Sequence, residues 1–186
     1  MRSAVFALLA GFATAAAAQG PVEPSAEHKK LSGMVGRWDA TLNAGGTESK
    51  GVMVFKWGPG KLFVVSDFNA DMGGMKFTGH GVSGYDPAKK KYVGIWTDSM
   101  SPSMMTVEGT MEGDVMTEIG TGVGPDGKPM KTKMTTEMKG KDAMTFKMYM
   151  VEGDKDNLAM TIEYKRAPNQ QKKKSDKKPD AKPSDK

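Results

Sequence analysis

Gly79-His-Gly-Val-Ser-Gly-Tyr-Asp-Pro-Ala-Lys-Lys-Lys-Tyr-Val-Gly-Ile-Trp-Thr-Asp-Ser99 reads as two strands folded back across a turn. Asp86-Pro87 opens that turn: proline holds φ near about −65°, as the second position of a type I turn requires, and the Asp86 carboxylate can accept from the amides ahead of it. Beyond the turn, Tyr92-Val93-Gly94-Ile95-Trp96-Thr97 is rich in the β-branched and aromatic residues that suit a pleated, half-buried surface. The segment is a hairpin, and it carries no catalytic constellation.

On both sides of the hairpin the chain keeps a period of two. Trp38, Ala40 and Leu42 alternate with Asp39, Thr41 and Asn43 before a turn at Ala44-Gly45-Gly46. Met53, Phe55 and Trp57 share one face of the next run, which ends at Gly58-Pro59-Gly60. Leu62 to Phe68 makes a third strand, and Met72-Gly73-Gly74-Met75 turns the chain into the hairpin. After it come Met104 to Glu112, then Val115 to Thr121, then a turn at Gly124-Pro125-Asp126-Gly127. Three regular strands close the series, with Met130, Thr132, Met134, Thr136 and Met138 on one face of the first. Met144, Phe146, Met148 and Met150 share a face of the second, and Leu158, Met160, Ile162 and Tyr164 a face of the third. About ten short strands joined by tight turns, with no crossover helix, predict an antiparallel meander. A meander of this length curls, and closure removes its edges. The expected fold is an all-β, antiparallel up-and-down barrel of about ten strands with a short N-terminal helix, a two-sheet sandwich being the alternative. The helix, Pro24 to Leu31, starts at the capping Ser25, is ended by Gly33 and Gly36, and places Leu31, Met34 and Val35 on one side, as a lid or plug would.

The two ends read differently from the middle. Met1-Arg2-Ser3 precedes an apolar run from Ala4 to Ala13, too short to span a bilayer, and Ala16-Ala17-Ala18 offers a cleavage site. Residues 1–18 are therefore expected to be a signal peptide cleaved near Ala18, giving a periplasmic or secreted protein without a transmembrane segment after processing. Residues 19–25 are a linker, 26–166 one barrel domain without an internal repeat, and 167–186 a tail of Lys, Asp, Pro and Ser whose composition predicts disorder. The tail's seven lysines against three aspartates, together with Arg2, account for the whole net charge of +5. The barrel domain is thus neutral, which argues against nucleic acid as a partner. The basic tail could make weak contact with an anionic envelope surface, and a monomer is expected. The lack of cysteine is compatible with export, since a domain of this size can dispense with disulfides.

Seventeen methionines raise the question of a thioether site for cuprous or silver ion, with Met100, Met104 and Met105 as the set that strand alternation leaves unexplained. From Gln19 onward there are only four leucines and three isoleucines, so methionine as core filler is the main reading. Tyr92, Gly94, Trp96 and Asp98 share one strand face; Asp98 would orient a polar head group at a barrel mouth or cap the turn that follows. His80, opposite in phase to Phe77, is expected to point outward. Neither His28 nor His80 shows a Ser or Asp pairing in the sequence that would activate a nucleophile, and no catalysis is expected. Gly79-any-Gly81 and Gly120-any-Gly122 are strand glycines, since no helix follows either to make a phosphate loop.

The chain resembles a bacterial family catalogued as domain of unknown function 1579. The resemblance rests on His28-Lys-Lys-Leu-Ser-Gly-Met-Val-Gly-Arg-Trp38, Gly81-Val-Ser-Gly-Tyr-Asp-Pro87, Tyr92-Val-Gly-Ile-Trp-Thr-Asp-Ser-Met100 and Ile162-Glu-Tyr-Lys-Arg166. The family lends no activity. Gly36-Arg37-Trp38 is also similar to the Gly-any-Trp motif opening the first strand of lipocalins and fatty-acid-binding proteins. That resemblance implies a barrel floor of Gly36 and Trp38 with Arg166 lying across it. It also implies a carrier: an interior lined by Phe55, Trp57, Trp96, Asp98, Met134, Phe146, Met148 and Met160 that binds a small apolar or amphipathic molecule. A packed structural or envelope-associated barrel is the alternative. No cofactor is expected, though distantly similar ten-stranded barrels bind haem through one histidine, which makes His80 the residue to follow, and copper remains the other alternative.

Overall fold

The computed structural model describes residues 20–124 and 126–168; the expected leader and all but the first two residues of the expected tail lie outside the described residues. Ten antiparallel strands close into a barrel in which each strand pairs with its sequence neighbours and the first pairs with the last. They are β1 (Gly36–Ala44), β2 (Thr47–Trp57), β3 (Phe63–Met72), β4 (Met75–Asp86), β5 (Lys91–Asp98), β6 (Met105–Glu112), β7 (Val115–Val123), β8 (Pro129–Met138), β9 (Ala143–Glu152) and β10 (Lys155–Arg166). The meander is an up-and-down barrel, and closure leaves no unpaired edge.

Local chemistry explains the turns. Asp86 Oδ1 accepts from the amides of Ala88 at 2.8 Å and Lys89 at 3.1 Å, so the carboxylate holds the turn of the β4–β5 hairpin. Gly73 and Gly74 both have positive φ, 67° and 94°, the combination a two-residue hairpin needs to match the strand twist. Met72 and Met75 are consequently the last paired residues of β3 and β4 rather than part of the turn, and β3 starts at Phe63 rather than Leu62.

Two sequence expectations, for Met105 and Leu158, differ from the structure. Met105 belongs to β6, paired with Trp96, so it is a strand residue with an inward side chain. On β10 the register slips between Leu158 and Met160: Leu158 opposes Tyr149 while Met160 opposes Met148. The extra residue, Ala159, turns Leu158 to the outer face, where it is 57% exposed, out of phase with Met160, Ile162 and Tyr164.

The chain enters through α1 (Ala26–Lys30) and a 3₁₀ turn, Leu31–Gly33. Ser25 and His28 form a capping box, which lets so short a helix start. Leu31 is 1% exposed and sits in the core with Met34 and Val35 packed around it. The Tyr92 hydroxyl donates to the Glu27 carbonyl at 3.1 Å, and the His28 ring meets Tyr85 edge-on, its centroid 5.8 Å away. The helix thereby plugs the barrel end where β1 begins and β10 finishes. The far end carries the turns between β1 and β2, β3 and β4, β7 and β8, and β9 and β10, together with the Ser99–Met104 connection. Among the described residues, no helix is long and apolar enough to cross a membrane.

Candidate functional site in the barrel interior

The register assigns the inner wall. Rows of directly paired residues run around the barrel, and one of them passes from Tyr85 through Tyr92, Gly109, Glu118, Met134, Met148 and Met160 to Ala44. Trp57, Phe55, Trp96, Asp98, Phe146, Met148, Met160 and Met134 all lie on inward-facing positions by the same register. Packing against them is uneven. Trp38, Ala40, Leu42, Met53, Phe55, Val64 and Phe68 on β1 to β3 are buried, together with Met144, Ile162 and Tyr164 near the plug. Trp96, Met105, Phe146, Met148, Met150 and Met160 are only half-buried, although both edges of their strands are paired. Half-buried inner faces in a closed barrel border space that solvent enters.

Glycines in this wall mark close approach: a Cβ at Gly94, Gly109 or Gly120 would lie under 3 Å from atoms of a neighbouring strand. Gly94, Gly109, Gly120 and Gly122 face inward on β5, β6 and β7. At Gly79 on β4 a Cβ would collide with the Trp96 ring, which packs against that strand. Trp96 is held by its own strand: its indole N–H donates to Asp98 Oδ2 at 3.0 Å, while Asp98 Oδ1 accepts from the Met100 amide at 2.8 Å. Both oxygens of Asp98 are thus occupied by turn capping and by the orientation of Trp96.

Glu118 is the residue that sequence reasoning missed. It is an inward carboxyl on β7, between Gly109 and Met134, with no hydrogen-bond partner among the described residues, and burial pushes its pKa up to about 7. Among the described residues no fully buried side-chain nitrogen or oxygen lacks a partner. The unpartnered Glu118 carboxyl and Tyr164 hydroxyl therefore front space within reach of water. The alternation of Val115, Ile119 and Val123 points to the wrong inner face, because these β-branched residues lie outside and Ile119 is among the exposed hydrophobics. The phase of the buried Met116 is the signal in the sequence that places Glu118 inside.

The plugged end is built around Trp38, which is 0% exposed. Its indole N–H donates to the Met34 carbonyl at 2.7 Å, and the Arg166 guanidinium stacks on its ring, 4.0 Å from the centroid. Arg166 also donates to the carbonyls of Lys141 at 2.7 Å, Val35 at 2.9 Å and Gly33 at 2.9 Å. Gly36 has φ of 138°, and a Cβ there would lie 2.5 Å from the guanidinium, so glycine is what lets the arginine lie across the floor.

The remaining sequence candidates are dispersed. His80 faces outward on β4, where its Nδ1 pairs with Asp67 at 2.8 Å; that hydrogen bond holds the Asp67 carboxyl below its ordinary range. His28 is buried under the plug with Nδ1 on the Ser25 hydroxyl at 2.8 Å. Contrary to the expectation from the linear sequence, both histidines have a Ser or Asp partner: Ser25 through the capping-box spacing, Asp67 only through cross-strand register. His80 faces away from the interior while the His28 ring meets the inward Tyr85 at the plugged end, and the two pairs lie in different parts of the fold. Met105 Sδ accepts from Thr132 Oγ1 at 3.6 Å inside, whereas Met100 and Met104 are 47% and 61% exposed outside, so the three sulfurs do not converge. Among the described residues, no cluster of three or more His, Asp or Glu gathers as metal ligands would. A depression of about 400 Å³ lies on the outside of β3 to β5, around Asp67, Asn69, Thr78, His80, Thr97 and Ser99.

The family model described as protein of unknown function, DUF1579, matches residues 23–166. Among solved structures, the chain is similar to that titled crystal structure of Rv2717c from M. tuberculosis. The match has a TM-score of 0.58 and 13% identity over 78% of this chain and 100% of that one, a likeness of fold. No curated protein matches the chain.

Proposed function

This chain belongs to the DUF1579 family, which has no assigned activity, and from the character of its interior we propose an exported, lipocalin-like carrier that binds a small apolar or amphipathic molecule without transforming it. The observation that carries the reading is the part of the inner wall on β5, β9 and β10 where Trp96, Phe146, Met148 and Met160 stay half-buried inside a closed barrel. A barrel of about ten strands has room for one such ligand, and aromatic and thioether walls suit an apolar body. Trp96 and Phe146 supply rigid surface, while the unbranched methionines adjust to the ligand's shape. Asp98 keeps Trp96 in place. The plug and the Trp38–Arg166 floor seal one end, so entry is by the far end. Export rests on the leader-like residues 1–18, and the carrier reading needs neither haem nor copper.

Uptake of a neutral naphthalene-type dye tests the proposal. Saturable enhancement of fluorescence at one dye per chain is expected, with an altered Kd in Met148→Ala. Because solvent or ligand already occupies the space, that substitution should cost well under about 2 kcal/mol of stability. No dye uptake by either protein, with a loss of about 2–5 kcal/mol, would instead establish the packed structural barrel.

A further inference from the structure

The interior carries an uneven set of charges. On the inner faces of the described strands the carboxyl groups are Asp98 on β5 and Glu118 on β7, and the cation is Arg166 at the floor. The other ionisable groups facing inward are the phenols of Tyr85, Tyr92 and Tyr164 and, from the plug, His28, which is committed to the Ser25 hydroxyl; Glu152 and Lys155 stand opposite each other at the exposed tip of the β9–β10 hairpin. Arg166 is already committed to three carbonyls and the Trp38 ring, and Asp98 to the Trp96 indole and the Met100 amide. Tyr92 is committed to the Glu27 carbonyl. Glu118 is the charged group left over. Its neighbours in the ladder, Gly109 and Met134, supply no hydrogen-bonding side chain, and Met148 and Met160 continue its row as an apolar wall.

A carrier for fatty acids needs a cation inside to receive the carboxylate, and this interior has none to spare. We propose that the barrel binds an amphipathic organic cation, its apolar body against the methionine row and its charged nitrogen on the Glu118 carboxylate. The inference rests on the carrier reading and gives it a ligand class. A half-buried carboxylate with no partner is poorly solvated, and an incoming ammonium offsets that cost by pairing with it. A carboxylate head would meet the opposite: repulsion from ionised Glu118 with no guanidinium or ammonium free to offset it. Near neutral pH, cation binding should also release protons, because it favours the ionised form of a carboxyl whose pKa burial has raised to about 7.

Three dodecyl probes carrying the same fluorophore and ending in a primary ammonium, a carboxylate or a neutral carboxamide separate the outcomes. They are titrated into the full chain at about pH 8 and about pH 5.5. The wild type should bind the ammonium probe about ten-fold or more tighter than the carboxylate probe at the higher pH, with a smaller preference at the lower. Glu118→Gln should abolish the preference and leave the carboxamide affinity unchanged. Glu118→Asp, which keeps the charge, should retain its sign, and circular dichroism reports whether each variant is folded. Binding of the carboxylate probe as tightly as the ammonium, or a preference that survives in folded Glu118→Gln, overturns the inference. If the carboxamide binds without any head-group preference, the inference fails and the carrier reading stands. If none of the three binds, the carrier reading fails and takes the inference with it.

Discussion

Glu118 makes the stability of the empty barrel depend on pH in a direction opposite to that of a salt-bridged carboxylate. Its pKa is about 7 in the folded chain against 4.5 when solvated, so between those values the folded state holds the proton more tightly. Stability from this group is full below about pH 4.5 and falls as pH rises toward 7, by at most about 3 kcal/mol. Glu118→Gln should therefore raise the melting temperature at pH 8 and change it little at pH 4; an equal effect at both would show that the carboxyl is already solvated. At the floor, Trp38→Ala should cost about 3–5 kcal/mol in denaturant titrations, as large buried aromatics do. Arg166→Ala should also destabilise, since it strips three carbonyls of their donor. The double variant should lose less than the sum of the two, because the guanidinium lies on the ring; strict additivity would contradict that contact.

Among the elements, the plug should matter beyond its size. Helix α1 has five residues and cannot persist alone, so its order comes from Leu31 inserted in the core and from Tyr92 holding the Glu27 carbonyl. Leu31→Ala should cost about 2–5 kcal/mol by chemical denaturation and should speed hydrogen exchange in 26–33 well before the strands loosen. Unchanged exchange there would mean that capping by Ser25 alone fixes the helix. The bulge at Ala159 is an element-scale device of another sort. By taking up one residue, it restores Met160 and Ile162 to the inner face after the outward Leu158, and so keeps the methionine row continuous up to Ala44 on β1.

For the whole molecule, closure and uneven packing together set a gradient of local stability. Buried apolar side chains concentrate on β1 to β3 and beside the plug, whereas the inward Trp96, Met105, Met130, Met148 and Met150 toward the far ends of β5, β6, β8 and β9 are half-buried. Amide exchange in the ligand-free protein should accordingly be slowest on β1, β2 and the plug-side half of β10, and fastest where β5 to β8 approach the far end. A bound amphiphile should slow exchange chiefly on β7 to β9. Uniform protection around the barrel without ligand would indicate an interior packed shut.

Much of this architecture is legible one strand at a time. Period-two alternation marks β1, β8 and the plug-side part of β10, and Asp86-Pro87 and the paired glycines at 45–46 and 73–74 mark the turns, because these features depend on backbone preferences within a few residues. The same logic misleads where outer positions are β-branched, as at Val115, Ile119 and Val123, since β propensity rewards such residues on either face of a sheet. It misleads at Leu158, where a single extra residue reverses the phase. Asp67 beside His80, Arg166 across Trp38 and Met105 against Thr132 are juxtapositions between strands that the linear order leaves apart. Glu118 is a carboxyl without a partner inside the wall only because ten strands close and, among the described residues, no cation is brought round to meet it. Sequence alone determined the meander and its turns, which arise from local interactions; which charges are left unpaired depends on long-range register, and that only the tertiary structure decided.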